Sequence, residues 1–173
     1  MARGRSLSLS PTMKNNICTP FAALALFAAA FTSAADAAEK AGPAKGTAGN
    51  PEAGKAVYLR VCVACHQPTG LGLPPAFPPL AGSSIVTEAD PGKIIRVVMH
   101  GLQGPIEVNG VKYNSMMPAL IPPLKDQEIA DVLTYVRNTW NNKAAPVTVE
   151  AVAAIRAKEK RTTPWTWAEL TKL

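Results

Sequence analysis

One pentapeptide constrains this chain of 173 residues more than any other stretch, Cys62-Val63-Ala64-Cys65-His66. Its two cysteines stand three positions apart, about one helical turn. The pair alone is compatible with a single disulfide or with a redox dithiol. A structural zinc site is not expected, because four ligands of the usual spacing are absent and the only other histidine is His100.

The histidine that directly follows the second cysteine favours a different chemistry. C-x-x-C-H is the attachment signature of c-type haem. Thiols one helical turn apart can reach the two vinyl groups on one porphyrin edge, and the thioether bonds formed there clamp the ring so that the next side chain is aimed at the iron. We therefore expect Cys62 and Cys65 to hold one haem c covalently, with His66 as an axial ligand.

Residues 1–37 have the pattern of a cleaved secretory signal peptide. Three basic side chains come first: Arg3, Arg5 and Lys14. The apolar run 17–31 is short for a membrane span of ~20 residues, and small residues follow it. Cleavage is expected after Ala37 or alternatively Ala35, and Met13 is a second candidate start. We expect a periplasmic protein with no membrane span after cleavage, and export fits haem attachment, which takes place outside the cytoplasm.

Charge is unevenly distributed along the expected mature chain. Residues 49–142 carry seven basic and seven acidic side chains, whereas residues 143–173 carry six basic and three acidic ones. The basic tail indicates either an acidic partner surface or only a solvated helix face. Nucleic acid is not an expected partner, because the chain has no continuous basic stripe with interleaved aromatic residues.

Local signals predict short helices. Asn50 and Pro51 open a helix that runs to the C-x-x-C-H motif. Residues 67–90 are rich in proline and glycine and predict an irregular loop. A further short helix follows Asp90-Pro91 and ends at Gly101.

A β-hairpin and a last core helix complete the predicted domain. Residues 106–113 alternate around Asn109-Gly110, which predicts a hairpin with a type I′ turn. Asp126 is expected to cap the helix that follows. Its apolar stripe has helical spacing: Ile129, Val132, Leu133, Val136 and Trp140.

The sixth iron ligand has four candidates from the residues alone: Met99, His100, Met116 and Met117. Met99 lies in an apolar stretch typical of core packing. His100 ends a helix, where the helix dipole favours it. Met117 precedes Pro118, which holds it extended, so the choice narrows to the adjacent pair Met116 and Met117, with Met117 preferred.

Residues 50–142 resemble a class I cytochrome c. The segments that carry the resemblance follow the order of that family: Gly54-Lys55-Ala56-Val57-Tyr58, the C-x-x-C-H motif, Pro78-Pro79-Leu80-Ala81-Gly82, Tyr113 to Pro118, and Asp126 to Trp140. The resemblance implies an all-α fold of short helices around one covalent haem, with a small hairpin near 106–113. It also implies that the Pro78 carbonyl orients His66, that Leu80 lines the haem pocket, and that Met117 is the sixth ligand with Met116 as the fallback.

The resemblance implies one-electron transfer between redox protein partners, with haem iron cycling between Fe(II) and Fe(III), and not catalysis. A second hypothesis is an electron-transfer subunit of a larger periplasmic oxidoreductase, of the dehydrogenase or nitrite reductase type. A third is a haem enzyme or gas sensor with an open sixth site. We divide the chain into signal peptide 1–37, linker 38–49, haem domain 50–142 and basic helical tail 143–173.

The tail lies outside the resemblance. Thr148 is expected to cap a helix that continues to Arg161, and Thr166 to Glu169 fits a capping box. Trp165 and Trp167 either pack back on the haem domain or anchor a partner, because tryptophan is enriched in interface hot spots. The basic surplus and the two tryptophans, beside a charge-balanced haem domain, lead us to expect that the tail serves the partner. Haem attachment should not need the tail, because every residue matched to haem binding lies before Asn142.

Overall fold

Seven short helices and two two-stranded sheets form the part of the chain that the computed structural model describes, residues 46–173. The helices are α1 (Pro51–Val57), α2 (Val63–His66), α3 (Ser84–Thr87), α4 (Gly92–His100), α5 (Asp126–Arg137), α6 (Val149–Lys158) and α7 (Trp167–Leu170). The strands are β1 (Leu102–Gln103), β2 (Ile106–Val108), β3 (Val111–Tyr113) and β4 (Trp165–Thr166). The predicted signal peptide lies outside the described residues. Among the helices of residues 46–173, none combines the length and apolar character that crossing a membrane requires.

Helix α1 begins as its sequence predicts. The side chain of Asn50 accepts hydrogen bonds from the backbone N–H groups of Glu52 and Ala53, and Pro51 occupies the first turn. A π-helical turn, Tyr58–Cys62, joins α1 to α2. The chain therefore stays helical up to His66, where the next residue adopts a positive φ of 63° and ends the helix.

Helices α1 and α5 cross at Gly54. A Cβ on this residue would overlap the backbone carbonyl of Asp131 and the Cβ of Tyr135. Glycine therefore permits the close approach of the two helices. Asp131 also ties the helices together, because its Oδ1 accepts a hydrogen bond of 2.6 Å from the backbone N–H of Asn50.

Three aromatic rings pack against one another next to this helix crossing. The centroids of Tyr58, Tyr135 and Trp140 lie 5.2 to 5.8 Å from one another in tilted or edge-to-face pairs. Two of their polar atoms reach the loop that follows His66. The Tyr58 hydroxyl donates to the carbonyl of Gln67 at 2.6 Å, and the Trp140 indole donates to the carbonyl of Pro68 at 3.1 Å.

Helix α4 and the hairpin also follow the sequence prediction. The carboxylate of Asp90 accepts a hydrogen bond from the N–H of Gly92, and α4 ends at Gly101, whose φ is 82°. Strands β2 and β3 pair antiparallel, and the positive φ angles of Asn109 and Gly110 are those of a type I′ turn.

The limits of α5 differ from the sequence prediction. Lys125, and not Asp126, is the N-cap residue. The Glu128 side chain accepts a hydrogen bond from the N–H of Lys125. The Asp126 carboxylate pairs instead with Arg156. The helix ends at Arg137, where the side chains of Asn138 and Thr139 bond to carbonyls of its last turn. Trp140 therefore lies beyond the helix, at a positive φ of 54°.

The tail packs back on residues 50–142, which is one of the two alternatives stated for its tryptophans and is seen for Trp165. Val147, Val152 and Leu170 are fully buried, and Trp165 is 7% exposed. Strand β4 pairs in parallel with β1, a pairing that the sequence did not predict. Helix α6 is capped by Thr148 as expected but ends at Lys158, earlier than the expected Arg161.

The last residues of the predicted linker are also tied down. The N–H of Gly49 donates to the carbonyl of Val147, and the N–H of Val149 donates to the carbonyl of Thr47. A Cβ on Gly49 would overlap the backbone of Ala130 in α5. Residues 46–49 are thus part of the folded unit, held between α5 and the start of α6.

Candidate functional site

An apolar cavity brings together every site residue that the sequence predicted. Its walls include all seven: Cys62, Cys65, His66, Pro78, Leu80, Met116 and Met117. Aliphatic side chains of α4, α5 and the hairpin complete the lining. The cavity has a volume of about 160 Å³.

His66 has one ring nitrogen engaged and one free. Its Nδ1 lies 3.0 Å from the carbonyl oxygen of Pro78. Because a carbonyl can only accept, this contact selects the tautomer that carries the proton on Nδ1, and the Nε2 lone pair remains available. Burial lowers the pKa of His66, although the Pro78 carbonyl acts in the opposite direction. A neutral imidazole with an oriented free nitrogen is what a metal ligand requires.

Cys62 directly precedes α2 and Cys65 lies within it, both as free, half-buried thiols. Burial raises the pKa of the Cys62 thiol to about 11, and the neighbouring Cys65 contributes in the same direction. Both side chains line the cavity, so the helical turn between them directs two sulfur atoms toward the same space. No group of three or more His, Cys, Asp or Glu side chains in residues 46–173 is arranged to hold a metal ion directly.

The loop that carries Pro78 and Leu80 is held by an asparagine that the sequence reading missed. The Asn142 side chain accepts from the N–H of Gly82 and donates to the carbonyls of Leu80 and Val136. The N–H of Leu80 also donates to the carbonyl of Gly70 at 2.7 Å. No local pattern marks Asn142, because its two partners in this loop, Gly82 and Leu80, lie 60 and 62 residues away in sequence.

The neighbouring methionines occupy different environments. Met117 is half-buried and packs against the hydrophobic core, whereas Met116 is 65% exposed. The backbone of Met117 exchanges two hydrogen bonds with Leu102: the Leu102 N–H donates at 3.0 Å and the Met117 N–H donates at 2.8 Å. This bridge gives Met117 a fixed place in the cavity wall.

The other two candidates for the sixth ligand lie elsewhere. Met99 is fully buried among core side chains, and His100 is 8% exposed on the side of α4 that faces the tail. Neither residue lines the cavity. Burial lowers the pKa of His100, with nearby Glu159 acting in the opposite direction.

Trp167 is a cavity residue that the sequence reading did not assign to the site. It stands at the start of α7, 27 positions beyond Trp140. Its capping box with Thr166 and Glu169 was predicted and is present, with the Thr166 hydroxyl accepting from the N–H of Glu169. The capping-box motif predicted the local turn but not that this turn places Trp167 against the cavity.

The cavity fits haem c. It offers two adjacent thiols for covalent attachment, an imidazole nitrogen without a hydrogen-bond partner among residues 46–173, and a thioether on a different segment of the wall. Its surface is almost entirely apolar, as a porphyrin requires. Nothing in the lining opposes such a group, because no charged side chain belongs to it.

Comparison with known proteins agrees with this geometry. The model of the family described as Cytochrome c matches residues 51–140. Cytochrome c-552 from Thermus thermophilus is 41% identical over 114 residues, which cover 61% of this chain and 86% of that protein.

Two further relatives are subunits of larger proteins. The cytochrome c subunit of alcohol dehydrogenase (quinone) from Gluconobacter oxydans (strain 621H) is 42% identical over 107 residues, 62% of this chain and 22% of that subunit. The fructose dehydrogenase cytochrome subunit from Gluconobacter japonicus is 30% identical over 110 residues, 62% of this chain and 23% of that subunit. The chain is therefore similar to only about a fifth of each of these subunits.

Proposed function

Because the chain belongs to the cytochrome c family, whose members are electron carriers with covalent haem c, we propose that it carries single electrons as a monohaem protein with His66 and Met117 as axial ligands. Cys62 and Cys65 form the two thioether bonds in this proposal. Its support is one observation: all four side chains line the same apolar cavity. The single C-x-x-C-H motif of the sequence supports one haem per chain.

Haem c supplies one-electron chemistry between Fe(III) and Fe(II). The protein's part is to hold the ligands in place and to keep water away. The Pro78 carbonyl fixes the tautomer and ring orientation of His66. The aliphatic wall gives a low-dielectric surrounding, and a thioether ligand raises the reduction potential relative to a second histidine.

Binding of the haem iron by a ligand on each face of the haem would also explain why the protein transfers electrons and does not make or break bonds in a substrate. Met117 is tied to Leu102 by two backbone hydrogen bonds, so its side chain is restricted to the cavity wall. With both axial positions filled, no site remains for a substrate or a gas. We accordingly propose that the protein is not itself an enzyme and that it exchanges electrons with protein partners.

Optical spectroscopy of the purified holoprotein tests this function. A ferric charge-transfer band from a methionine ligand, together with no carbon monoxide binding after reduction, is the expected result. Rapid carbon monoxide binding by the native ferrous protein would instead support the haem enzyme or gas sensor. Haem and protein quantified in the same sample, at one haem per chain, test the monohaem assignment.

The second candidate function is an electron-transfer subunit of a larger oxidoreductase, and the dehydrogenase subunits among the relatives favour it. The apolar run at residues 17–31 and the small residues behind it favour export to the periplasm, where such complexes work. Affinity purification of the native protein from a periplasmic extract discriminates the two functions. A stoichiometric dehydrogenase partner supports the subunit, and a monomeric haemoprotein supports the free carrier.

A further inference from the structure

The segment Thr163–Leu170, here named the C-terminal strap, lies beyond residues 51–140, which match the family. Its strand β4 places Trp165 beside Leu102 in parallel register, and the Trp165 N–H donates to the carbonyl of Gly101 at 3.0 Å. Leu102 thus has the strap on one side and Met117 on the other. One short strand connects the strap to the segment proposed to supply the sixth ligand.

The strap also contributes directly to the cavity. Trp167 lines it together with Val97 and Leu102. The indole ring is half-buried, and the Lys93 ammonium lies 5.6 Å from its centroid, within the range of a cation–π contact. Trp167 therefore lies between the apolar interior and a charged surface side chain.

Several contacts hold the strap in this position. Leu170 is fully buried. The Arg161 guanidinium lies 4.1 Å from the ring centroid of Trp165, donates to the carbonyls of Thr163 and Pro164, and pairs with the Glu169 carboxylate at 3.0 Å. The strap is thus preorganised rather than loosely placed on the surface.

We propose that Trp167 is a positioning residue for haem c: it closes one side of the cavity and, through the strap and Leu102, restrains the segment of Met117. This inference rests on the proposed function, because it takes haem as the group in the cavity. Loss of the indole would admit water beside the haem, and a more polar surrounding stabilises the ferric over the ferrous state. It would also weaken the restraint on Met117 and make local opening of the sixth position easier.

Trp167→Ala and Trp167→Phe, prepared as holoproteins, test the proposal. Imidazole is the probe for opening of the sixth position, because it binds ferric haem once the internal ligand has dissociated. For Trp167→Ala we expect a lower reduction potential and imidazole binding faster by roughly tenfold. Phenylalanine restores most of the cavity wall, so Trp167→Phe should return both quantities most of the way to wild type.

Trp140→Phe is the matched control, since Trp140 is also a partly exposed aromatic residue but does not line the cavity. It should leave the potential and the imidazole rate unchanged, even where it lowers the melting temperature. Wild-type potential and imidazole kinetics in Trp167→Ala, with only a lower melting temperature, would overturn the proposal and make the strap a purely structural element.

The reduction potential also separates this inference from the ligand assignment. If Met117 is not the ligand, a Met117→Ala variant keeps the ferric charge-transfer band. A lower potential in Trp167→Ala would still support the cavity-wall role in that case. If Met117 is confirmed as the ligand but Trp167→Ala leaves the reduction potential unchanged, the proposed role of Trp167 is rejected and the ligand assignment stands.

Discussion

The Nδ1 of His66 lies 3.0 Å from the carbonyl oxygen of Pro78, twelve residues further along the chain. This contact joins the helix that carries both cysteines to the loop that closes the cavity over them. It leaves the Nε2 of the imidazole without a hydrogen-bond partner among residues 46–173. The contact therefore fixes the orientation of the imidazole that the helix places in the cavity.

The first prediction concerns covalent attachment. The double variant Cys62→Ala, Cys65→Ala should contain no covalently bound haem, because both thioether sulfurs are removed. Each single variant should keep at most one thioether and give a sharply lower yield of haemoprotein. Haem staining after denaturing electrophoresis measures the bound fraction, and wild-type staining of the double variant would refute the assignment.

The second prediction uses the neighbouring methionines as a matched pair. Met117→Ala should open the sixth position, which lowers the reduction potential and allows carbon monoxide to bind the ferrous protein. Met116 is 65% exposed, so Met116→Ala should change both properties little. Carbon monoxide difference spectra of the two variants distinguish the two assignments. Carbon monoxide binding by Met116→Ala but not by Met117→Ala would identify Met116 as the ligand.

The third prediction concerns the helix crossing at Gly54. Alanine is the better helix former by ~1 kcal/mol, so Gly54→Ala would stabilise an isolated helix. In this protein the added methyl overlaps Asp131 and Tyr135, and overpacking of this kind costs about 1–3 kcal/mol. We therefore expect a lower free energy of unfolding, measured by denaturant titration. Ala53→Ser, on the exposed face of the same helix, is the control, and a stabilised Gly54→Ala would contradict the close crossing.

The fourth prediction tests the attachment of the tail. Leu170 is fully buried whereas Leu173 is 68% exposed. Leu170→Ala should lower the free energy of unfolding by about 2–5 kcal/mol, and Leu173→Ala should change it by less than about 0.5 kcal/mol. Equal effects in thermal unfolding would mean that the tail is not packed on the haem domain in solution.

The fifth prediction is a pH dependence. Hydrogen bonds from the backbone N–H and hydroxyl of Thr166, and then from Arg161, lower the pKa of Glu169 from 4.5 to about 2. A carboxylate whose pKa is lowered on folding stabilises the fold above its unfolded pKa and loses that contribution as the pH falls through the folded value. Wild type should therefore melt above Glu169→Gln at neutral pH, and the difference should shrink from pH 4.5 toward about 2.

Glu107→Gln is the control for this titration, because it removes one negative charge from an exposed position of the hairpin. The melting temperatures of the three proteins across the acid range give the comparison. A difference between wild type and Glu169→Gln that stays constant down to pH 2 would show that folding does not lower the pKa of Glu169.

Features set by neighbouring residues were predictable from the sequence. One helical turn is enough to bring Cys62, Cys65 and His66 to one side of the chain. The backbone preference of Asn109 and Gly110 is enough to form the type I′ turn. The cap at Asn50 is equally local. Each of these features is complete within a few residues, so the chain encodes it directly.

Features that depend on distant partners were missed. Asn142 acts on Gly82 and Leu80, and Trp167 reaches the cavity only because β4 pairs with β1. The uneven charge suggested a tail that serves a partner, and this stays a prediction; the charge did not show that buried apolar side chains of the tail, such as Val152, attach it to residues 50–142. Charge patterning describes the surface of a segment and carries no information on where its apolar side packs.

The hydrogen bond between Asn50 and Asp131 spans 81 residues of sequence. Residues 51–66, with both thiols, are therefore synthesised well before Asp131 and the rest of α5. Contacts of such separation close late, because the intervening loop must first be brought together. Because Val132, Leu133 and Val136 of α5 line the cavity, the wall around Cys62 and Cys65 is complete only once this late contact has formed.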